Sequence, residues 1–352
     1  MEYILDLTPG PENPRNSEGA FADLGNGEIL FVYSAFNGAS AMDHTDADLR
    51  AIRSLDGGRS WKMEGKPARA ADFGAMNIMS VSLLKVKKEL LLFYLVRKSW
   101  LEMPMVMQKS RDGGRTWDKP SLCTPENRYF VVNNDRVIQL SSGRIMIPAA
   151  EHCNKIREDG GLYFAPAQTV FFYSDDLGKT FKESSILTLN VPCCYSGLQE
   201  PGVIEGRDGT LYGWARTDLG RQYAFRSTDG GQNWTEPLPS RFTSPMSPMS
   251  VKPTRKGWLA IWNPVPTNNI SGDLWRSATG GRTPLVCAIS KDDGKSWSEP
   301  DIIENDPQAG YCYTAICETE DALLLGYCAG TIKDKSCLNR LRIRRIEEER
   351  QA

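Results

Sequence analysis

Acidic, basic and imidazole side chains lie next to short apolar runs in the middle of the sequence. The segment VVNNDRVIQL places Asp135 and Arg136 at the start of an apolar stretch, and His152 directly follows IMIPAAE. Carboxylates and imidazoles transfer protons and guanidinium groups bind anions, so these residues could line a polar pocket. A plainer interpretation stays open for each, because Asp135 and Arg136 could pair at the surface and His152 could be a structural histidine.

The cysteines and histidines do not follow the spacing of a metal site or a disulfide framework. Nine cysteines occur, two of them adjacent at Cys193 and Cys194, and the histidines are His44 and His152. Neither a CxxC pair nor an HExxH motif is present, so no zinc site is expected. The odd number of cysteines argues against a disulfide scaffold, and we expect reduced thiols.

One octapeptide pattern, Ser-x-Asp-x-Gly-x-(Thr/Ser/Asn)-(Trp/Phe), occurs five times. The copies begin at Ser54, Ser110, Ser174, Ser227 and Ser290, with spacings of 56, 64, 53 and 63 residues. The Asp side chain can accept hydrogen bonds from backbone N–H groups that follow it, and the Gly supplies a positive φ angle. The terminal Trp or Phe returns the chain to the core. The pattern therefore predicts a repeated turn between antiparallel strands.

Short segments rich in β-branched and aromatic residues precede the turns, among them GEILFVYSAF, ELLLFYLV and GTLYGWART. One turn in about 60 residues, with about four strands to each, is the rhythm of a propeller blade. We therefore predict an all-β fold, a six-bladed β-propeller that spans residues 1–352 as one domain. The sixth blade, which lacks the turn, is expected from Gly310 to Ile346. The N-terminal segment EYILDL is expected to close the ring, because closure removes exposed sheet edges.

Charge and hydropathy exclude two classes of protein. The chain has 42 Lys and Arg against 44 Asp and Glu, a net charge of −2, so a strongly basic nucleic-acid binder is excluded. No run of 18 apolar residues occurs, so no membrane-spanning helix is expected. The start MEYILDLTPG does not have the pattern of a secretory signal. We expect a cytoplasmic protein, or a secreted or periplasmic one if an export signal was removed.

The octapeptide resembles the Asp box of sialidases, and five boxes with a plain sixth blade are similar to the six-bladed sialidase (neuraminidase) superfamily. Asp boxes also occur in non-enzymes, so they indicate fold rather than function. The resemblance implies an exo-acting, retaining glycoside hydrolase that releases a terminal sialic acid or related acidic sugar from glycans, without metal or cofactor. Two alternatives stay open: a hydrolase of a different acidic sugar in the same pocket, and a non-catalytic carbohydrate-binding propeller.

Three segments resemble catalytic segments of sialidases. Glu200 precedes Arg216 by sixteen residues, AGYCYTAI contains Tyr313, and Asp43 lies eleven residues before the first Asp box. The resemblance implies that Tyr313 is the nucleophile, that Glu200 is its base and that Asp43 protonates the leaving oxygen. The neighbouring alternatives are Tyr311 for the nucleophile and Asp46 or Asp48 for the acid.

The resemblance also implies three arginines that bind the sugar carboxylate: Arg15, Arg216 and Arg282. Guanidinium groups form charge-assisted, bidentate hydrogen bonds with carboxylates. Sialidases commonly have a glutamate that braces the first arginine, but Cys328 stands at that place here, and Glu18 is the alternative brace. In such a pocket Asp135, Arg136 and His152 are further candidates for substrate binding. The candidate stacking platforms for a sugar ring are Trp100, Trp214 and Trp275.

Overall fold

The computed structural model describes residues 2–38, 40–266 and 278–347. In this part of the chain almost all regular structure is β. The strands, in chain order, are β1 (Glu2–Leu7), β2 (Arg15–Gly25), β3 (Glu28–Phe36), β4 (Ala47–Ser54), β5 (Lys62–Ala68), β6 (Asn77–Val86), β7 (Glu89–Arg97), β8 (Met105–Ser110), β9 (Ser121–Leu122), β10 (Phe130–Val131), β11 (Ile138–Gln139), β12 (Ile145–Glu151), β13 (Lys155–Ile156), β14 (Leu162–Tyr163), β15 (Gln168–Ser174), β16 (Lys182–Glu183), β17 (Gln199–Glu205), β18 (Leu211–Arg216), β19 (Arg221–Ser227), β20 (Leu238–Thr243), β21 (Ser250–Thr254), β22 (Gly257–Trp262), β23 (Leu285–Ser290), β24 (Asp301–Glu304), β25 (Cys312–Glu318), β26 (Ala322–Cys328) and β27 (Leu341–Glu347). Short 3-10 helices occur at Ala70–Phe73 and Ile332–Asp334.

Six antiparallel sheets form the blades of a β-propeller, as predicted. Blade one is β2–β5, blade two is β6–β9, blade four is β17–β20 and blade five is β21–β24, each in sequential order. Blade three combines β10 and β11 with β12, β15 and β16, and the small hairpin β13–β14 is inserted into it. Blade six has the order β25, β26, β27, β1 from the axis outward. The innermost strands β2 and β25 contact each other, so the first and last blades are neighbours.

The N-terminal strand closes the ring, which confirms the prediction for EYILDL. Strand β1 pairs antiparallel with β27, with Leu7 opposite Leu341. Asp6 on β1 accepts a 2.8 Å hydrogen bond from Arg342 Nε on β27. The last blade therefore takes its outermost strand from the opposite end of the sequence, which protects the edge of β27.

Each octapeptide forms the predicted turn between the third and fourth strands of its blade. In the first copy, Asp56 Oδ1 accepts hydrogen bonds from the backbone N–H groups of Arg59 at 3.0 Å and Ser60 at 2.8 Å. The aromatic ring of Trp61 packs 6.2 Å from that of Phe21, between the centroids. The last residues of all five copies pack against core clusters, as predicted: Trp61, Trp117, Phe181, Trp234 and Trp297.

The core lies between adjacent blades rather than inside one sheet. One large cluster joins Phe93 of blade two to Phe130 and Phe172 of blade three, and the last two rings meet edge to face at 5.1 Å. Full burial of such a side chain stabilises the fold by about 1.5–3 kcal/mol. None of the helices in the described residues is long and apolar enough to span a membrane.

Strand direction brings several loops to one face of the ring. The innermost strand of a blade begins at this face, and the antiparallel second strand ends there. The third strand then begins at the same face and reaches the opposite one, where the Asp boxes lie. We therefore expect side chains that act on a ligand at the starts of the innermost strands and the ends of the second strands.

Candidate active site

A pocket of about 360 Å³ opens at the face where the innermost strands begin. It takes side chains from blades one, two, three, four and six. Of the site residues predicted from the sequence, those that line the pocket are Arg15, Asp43, His152, Glu200, Arg216 and Tyr313. The predicted site residues outside this lining are Asp135, Arg136 and Arg282.

Bulges near the starts of four innermost strands direct side chains towards the pocket. The strand register shifts at Glu18, Ser80, Glu200 and Tyr313, and all four residues have φ between 47° and 60°. A positive φ is uncommon for residues other than glycine, and a bulge re-aims the side chain of the extra residue. A β-bulge at the same position in four blades therefore brings two carboxyl groups, a hydroxyl and a phenol to the pocket.

A phenol, a carboxylate and a guanidinium form a chain across the pocket. Tyr313 Oη donates a hydrogen bond of 2.9 Å to Glu200 Oε1, and Arg216 Nη1 lies 2.9 Å from Glu200 Oε2. Arg216 also donates to Gln199 Oε1 at 2.8 and 3.0 Å. Burial raises the pKa of Tyr313 well above its usual value, and the negative charge of Glu200 raises it further. The phenol is therefore neutral in the resting pocket, with a carboxylate in place to accept its proton.

Arg15 is held by two carboxylates and a ring. Its Nη2 lies 3.3 Å from Glu18 Oε1, Nη1 pairs with Asp43 Oδ1, and the guanidinium lies 4.3 Å from the centre of the Phe36 ring. Glu18 is in turn fixed by Ser80 Oγ, which donates to Oε2 at 2.7 Å. Burial raises the pKa of Glu18. Glu18 thus braces Arg15, as the alternative from the sequence proposed.

Asp43 lies at the mouth of the pocket, and its side chain is 58% exposed. Asn77 Nδ2 donates to the backbone carbonyl oxygens of Asp43 and Thr45, which fixes this loop against blade two. Burial opposes ionisation of the Asp43 carboxyl, but the Arg15 guanidinium outweighs it and lowers the pKa. Without a ligand, Asp43 is therefore a carboxylate paired with Arg15.

The neighbouring alternatives for the acid and the nucleophile face elsewhere. Asp48 pairs with Lys66 Nζ at 2.6 Å, and Asp46 accepts a hydrogen bond from Asn37 Nδ2 at 3.1 Å. The ring of Tyr311 lies in the core, with its centroid 6.3 Å from that of Tyr327. The three residues are absent from the pocket lining.

Arg282 lies behind the phenol instead of on the pocket wall. Its guanidinium is 5.4 Å from the centre of the Tyr313 ring, Nη1 lies 3.0 Å from Cys312 Sγ, and Nη2 lies 3.4 Å from the Met246 carbonyl oxygen. In this arrangement two of the three predicted arginines face the cavity, and the third supports the phenol. That Arg282 joins Arg15 and Arg216 in binding a sugar carboxylate stays a prediction.

Asp135 and Arg136 hold blades together below the pocket rather than lining it. Asp135 accepts hydrogen bonds from Lys252 Nζ and from the Ile316 backbone N–H, each at 2.9 Å. Arg136 donates to the Met249 carbonyl oxygen, and its guanidinium lies 5.5 Å from the Trp214 ring centre. Both side chains are buried against neighbouring blades and lie outside the pocket lining, although Arg136 Nε has no hydrogen-bond partner among the described residues. That they bind substrate stays a prediction.

One of the candidate tryptophans lines the pocket and another does not, and His152 lies on the pocket wall. Trp100 lines the pocket, Trp214 is buried in the core, and Trp275 lies outside the described residues. His152 Nδ1 lies 3.3 Å from the Ala165 carbonyl oxygen, and its ring meets Tyr129 edge to face. Burial lowers the pKa of His152, so the imidazole is neutral at neutral pH and offers a polar edge to a ligand.

Arg97, at the end of β7, is a pocket residue that we did not predict from the sequence. Its guanidinium lies 5.5 Å from the Trp100 ring centre and 5.7 Å from that of Tyr129. Within the described residues no carboxylate lies within 4 Å of its nitrogen atoms, and Nη1 is buried without a hydrogen-bond partner. The sequence feature that could have identified Arg97 is its position directly after the apolar run ELLLFYLV, because the second strand of each blade ends at the pocket face.

The pocket therefore combines a cationic side, a phenol–carboxylate pair and an acid at the rim. Among the described residues, no group of three or more His, Cys, Asp or Glu side chains is arranged to hold a metal ion. The nine cysteines are present as free thiols. The arrangement can bind an anion next to a group that becomes a nucleophile when Glu200 takes its proton.

Comparisons with known proteins agree with this architecture. Residues 32–327 match the BNR repeat-like domain family. The chain is 26% identical over 310 residues to a sialidase of Bacteroides fragilis (strain YCH46), an alignment that covers 77% of this chain and 52% of that protein. The chain thus spans about half the length of this relative.

Solved structures share the fold at low sequence identity. A protein of unknown function from Dyadobacter fermentans DSM 18053 has a TM-score of 0.74 at 16% identity, covering 99% of this chain and 98% of that one. The intramolecular trans-sialidase from Ruminococcus gnavus, in complex with oseltamivir carboxylate, has a TM-score of 0.70 at 15% identity, covering 96% and 95%. These structures show the fold alone, whereas the family match covers most of the chain, which therefore belongs to the BNR repeat-like domain family.

Proposed function

We propose that the protein is an exo-acting, retaining glycoside hydrolase of sialidase type, which releases a terminal sialic acid or a related acidic sugar from glycans. The observation that carries this proposal is the 2.9 Å hydrogen bond from Tyr313 Oη to Glu200 Oε1, with the Arg216 guanidinium on the other carboxylate oxygen. A binding module has no need of a buried phenol that points at a base.

The charges of the pocket suit a sugar whose anomeric carbon bears a carboxylate. Arg15 and Arg216 face the cavity and can form charge-assisted hydrogen bonds with that carboxylate. A second carboxylate as nucleophile would be repelled by it, at a cost of about 4 kcal/mol for charges 4 Å apart at an effective dielectric near 20. A neutral tyrosine avoids this repulsion until its proton moves to Glu200, which supports a phenol in this role.

The proposed reaction has two steps. In the first, Tyr313 Oη bonds to the anomeric carbon while the glycosidic C–O bond breaks, Glu200 takes the phenol proton and Asp43 protonates the leaving oxygen. In the second, water attacks the same carbon, Asp43 takes a proton from the water and Glu200 returns its proton to the released Tyr313 oxygen. Two inversions retain the configuration at the anomeric carbon.

The pocket also supports a substrate with a hydrogen-bond acceptor away from the carboxylate. Arg97 lies on the blade-two wall, and its Nη1 has no partner within the described residues. Arg97 Nε donates to Met103 Sδ at 3.4 Å. A buried N–H group without a partner is costly, so a ligand oxygen that accepts from Nη1 would gain binding free energy. A sialic acid and another acidic sugar would differ in the substituent whose oxygen accepts this hydrogen bond from Arg97.

The experiment that tests the proposal is hydrolysis of a fluorogenic sialoside beside a panel of other acidic glycosides and a neutral one. We expect turnover of at least one acidic glycoside, with the sugar first released as the retained anomer in a proton NMR time course. Because the R. gnavus neighbour is an intramolecular trans-sialidase, the same spectra are also inspected for a product of intramolecular transfer. Binding of acidic sugars without any turnover would instead support the carbohydrate-binding alternative.

A further inference from the structure

Three arginines line the pocket, and one of them has no counter-ion among the described residues. Arg15 pairs with two carboxylates and Arg216 with one. Arg97 is 5% exposed, and no carboxylate of the described residues lies within 4 Å of its nitrogen atoms. A buried cation without a counter-ion costs stability, which indicates that Arg97 serves a ligand.

The contacts of Arg97 inside the protein leave part of its guanidinium unsatisfied. Nε donates to Met103 Sδ at 3.4 Å, and the guanidinium lies 5.5 and 5.7 Å from the ring centres of Trp100 and Tyr129. The ring faces attract the cation, but neither they nor a thioether sulfur are charged acceptors. Nη1 is buried without a hydrogen-bond partner in the described part of the chain, so it is a free donor on the pocket wall.

Asn133 supplies a second free donor on the neighbouring blade. It lies between β10 and β11 of blade three, is 2% exposed and lines the same pocket. Its Oδ1 accepts a 2.7 Å hydrogen bond from the Asn134 backbone N–H, whereas Nδ2 is buried without a partner among the residues described. Tyr129, whose ring contacts Arg97, directly precedes β10, so Arg97 also reaches the boundary between blades two and three. We name these two donors, with the rings of Trp100 and Tyr129, the Arg97 subsite.

The charge of the Arg97 subsite stays uncompensated even when the sugar of the proposed reaction is bound. Arg15 and Arg216 take the carboxylate on the anomeric carbon, and Asp43 must hold a proton to act as the acid. A sugar with one carboxylate therefore brings no anion to Arg97. A neutral oxygen would satisfy the Nη1 donor alone, whereas a carboxylate or sulfate would satisfy both the donor and the charge.

We propose that the Arg97 subsite binds a second anionic group of the substrate, a carboxylate or a sulfate ester, with Arg97 Nη1 and Asn133 Nδ2 donating to its oxygen atoms. The substrate of the proposed function, on which this step rests, is then an acidic sugar with two negative charges. Arg97 determines specificity and takes no part in bond cleavage. Asn154 Oδ1, an acceptor in the same pocket without a partner among the described residues, suits a hydroxyl group next to the anion.

The first test needs no substrate, because a cation that is kept for a ligand should not stabilise the unliganded fold. Arg97→Met removes the charge and keeps most of the side-chain volume. The matched variant is Arg53→Met, which removes a buried guanidinium that pairs with Glu28 and Glu64 at 2.7 Å each. We expect the melting temperature of Arg97→Met to equal or exceed that of the wild type, and that of Arg53→Met to fall by several degrees. A comparable fall in both variants would make Arg97 a structural cation and would overturn the proposal.

The second test compares ligands that differ only in the second charge. The calorimetric probes are N-acetylneuraminic acid, each of its single O-sulfates, and two derivatives whose glycerol chain is cut back to one carbon. That carbon is a carboxylate in one derivative and an alcohol in the other. We expect at least one dianion to bind the wild type about tenfold or more tightly than its monoanionic counterpart. This preference should disappear in Arg97→Gln and persist in the control Arg144→Gln, which changes a surface pair with Asp175.

The outcomes separate this proposal from the proposed function. Equal affinities of monoanions and dianions for the wild type would overturn the second-anion site and leave a sialidase-type hydrolase standing. A dianion preference without turnover of any acidic glycoside would instead support the site and contradict the hydrolase. The absence of binding by every probe would contradict both. Since the wild-type comparison decides by itself, the test does not depend on the folding of a variant.

Discussion

Tyr313 and Glu200 are 113 positions apart in the chain, on the innermost strands of blades six and four, yet Tyr313 Oη donates a 2.9 Å hydrogen bond to Glu200 Oε1. Both residues occupy bulges, with φ of 58° and 47°. A non-glycine residue in this conformation costs on the order of 1–3 kcal/mol, which the packed blades must offset. This pair supplies the nucleophile and the base of the proposed reaction.

Removal of the phenol oxygen should abolish most turnover without unfolding the protein. We expect Tyr313→Phe to lower kcat for an acidic glycoside by about 1000-fold or more, while the melting temperature changes little, because the ring still fills its place. The matched control is Tyr311→Phe, two residues away in the core, which should keep full kcat. An undiminished rate in Tyr313→Phe would remove this residue from the mechanism.

The guanidinium of Arg216 should matter for its shape as well as its charge. It contacts both Gln199 and Glu200, and a lysine cannot reproduce this planar set of donors. We expect Arg216→Lys to raise KM for acidic glycosides about 10- to 100-fold. The control Arg144→Lys, in a surface pair with Asp175, should leave KM unchanged. A fall in thermal stability without any change in KM would assign Arg216 a purely structural role.

Ligand binding should be coupled to proton uptake by Asp43. The Arg15 guanidinium lowers the pKa of Asp43 in the unliganded pocket. A ligand carboxylate on Arg15 displaces Asp43, so the pKa of Asp43 rises, and at a pH between the two values binding takes up a proton. This change also converts Asp43 into the acid that the reaction needs.

The measurement is calorimetric titration of N-acetylneuraminic acid near pH 4.5, in two buffers that differ in ionisation enthalpy. We expect a buffer-dependent binding enthalpy in the wild type and in the control Asp46→Asn, and none in Asp43→Asn. Identical enthalpies in both buffers for the wild type would show that Asp43 does not take up a proton.

The Asp boxes should make stability depend on pH only in strong acid. Burial raises the pKa of Asp56, but hydrogen bonds from Ser60, Ser54 and Arg59 together outweigh it and lower the pKa to about 2. Hydrogen bonds also lower the pKa values of the carboxylates in the other boxes. A lowered pKa in the folded state stabilises the protein above the unfolded value, near 3.9, and this contribution is lost as the pH falls through the folded value.

Melting temperatures should therefore stay level down to about pH 4 and fall steeply below it. We expect Asp56→Asn to lower the melting temperature at neutral pH by roughly 2 °C or more. The same variant should reduce the steepness with which the melting temperature falls as the pH drops into the acid range. Asp118→Asn, which removes an exposed pair with Arg111, is the control and should change little. A steep fall in melting temperature that begins well above pH 4 would show that titratable groups outside the Asp boxes control the stability in acid.

The fold was predictable because its signals are local and repeated. Each Asp box contains its own turn chemistry, so the five copies mark five blades and their direction, and their spacing over the chain leaves room for a sixth. The N-terminal strand followed from the physical need to close the ring. Nothing local, however, distinguishes Asp135 from Glu200, since both are acids near the start of an innermost strand with φ of 57° and 47°. Lys252 decides the direction of Asp135, and it is 117 residues away.

The local sequence also does not determine the contacts of the arginines. A resemblance to short segments placed Arg15, Asp43 and Arg216 in one pocket with Tyr313, because strand ends in a propeller meet at the axis. Each counter-ion lies in the same blade as its arginine. Only Glu18 was proposed from the sequence, since the other pairings depend on the detailed geometry of each bulge and loop. Arg97 lacked a motif altogether, and its importance follows from a buried Nη1 atom that has no hydrogen-bond partner among the described residues.

The central claim is that the Tyr313 phenol forms a bond to the sugar. It is tested most directly by slowing turnover with a fluorinated acidic glycoside that carries a good leaving group, quenching, and mapping the adduct by peptide mass spectrometry. We predict one glycosyl group on Tyr313, and none in Tyr313→Phe. Hydrolysis that proceeds with the adduct on another residue, or with inversion at the anomeric carbon and no adduct at all, would contradict it.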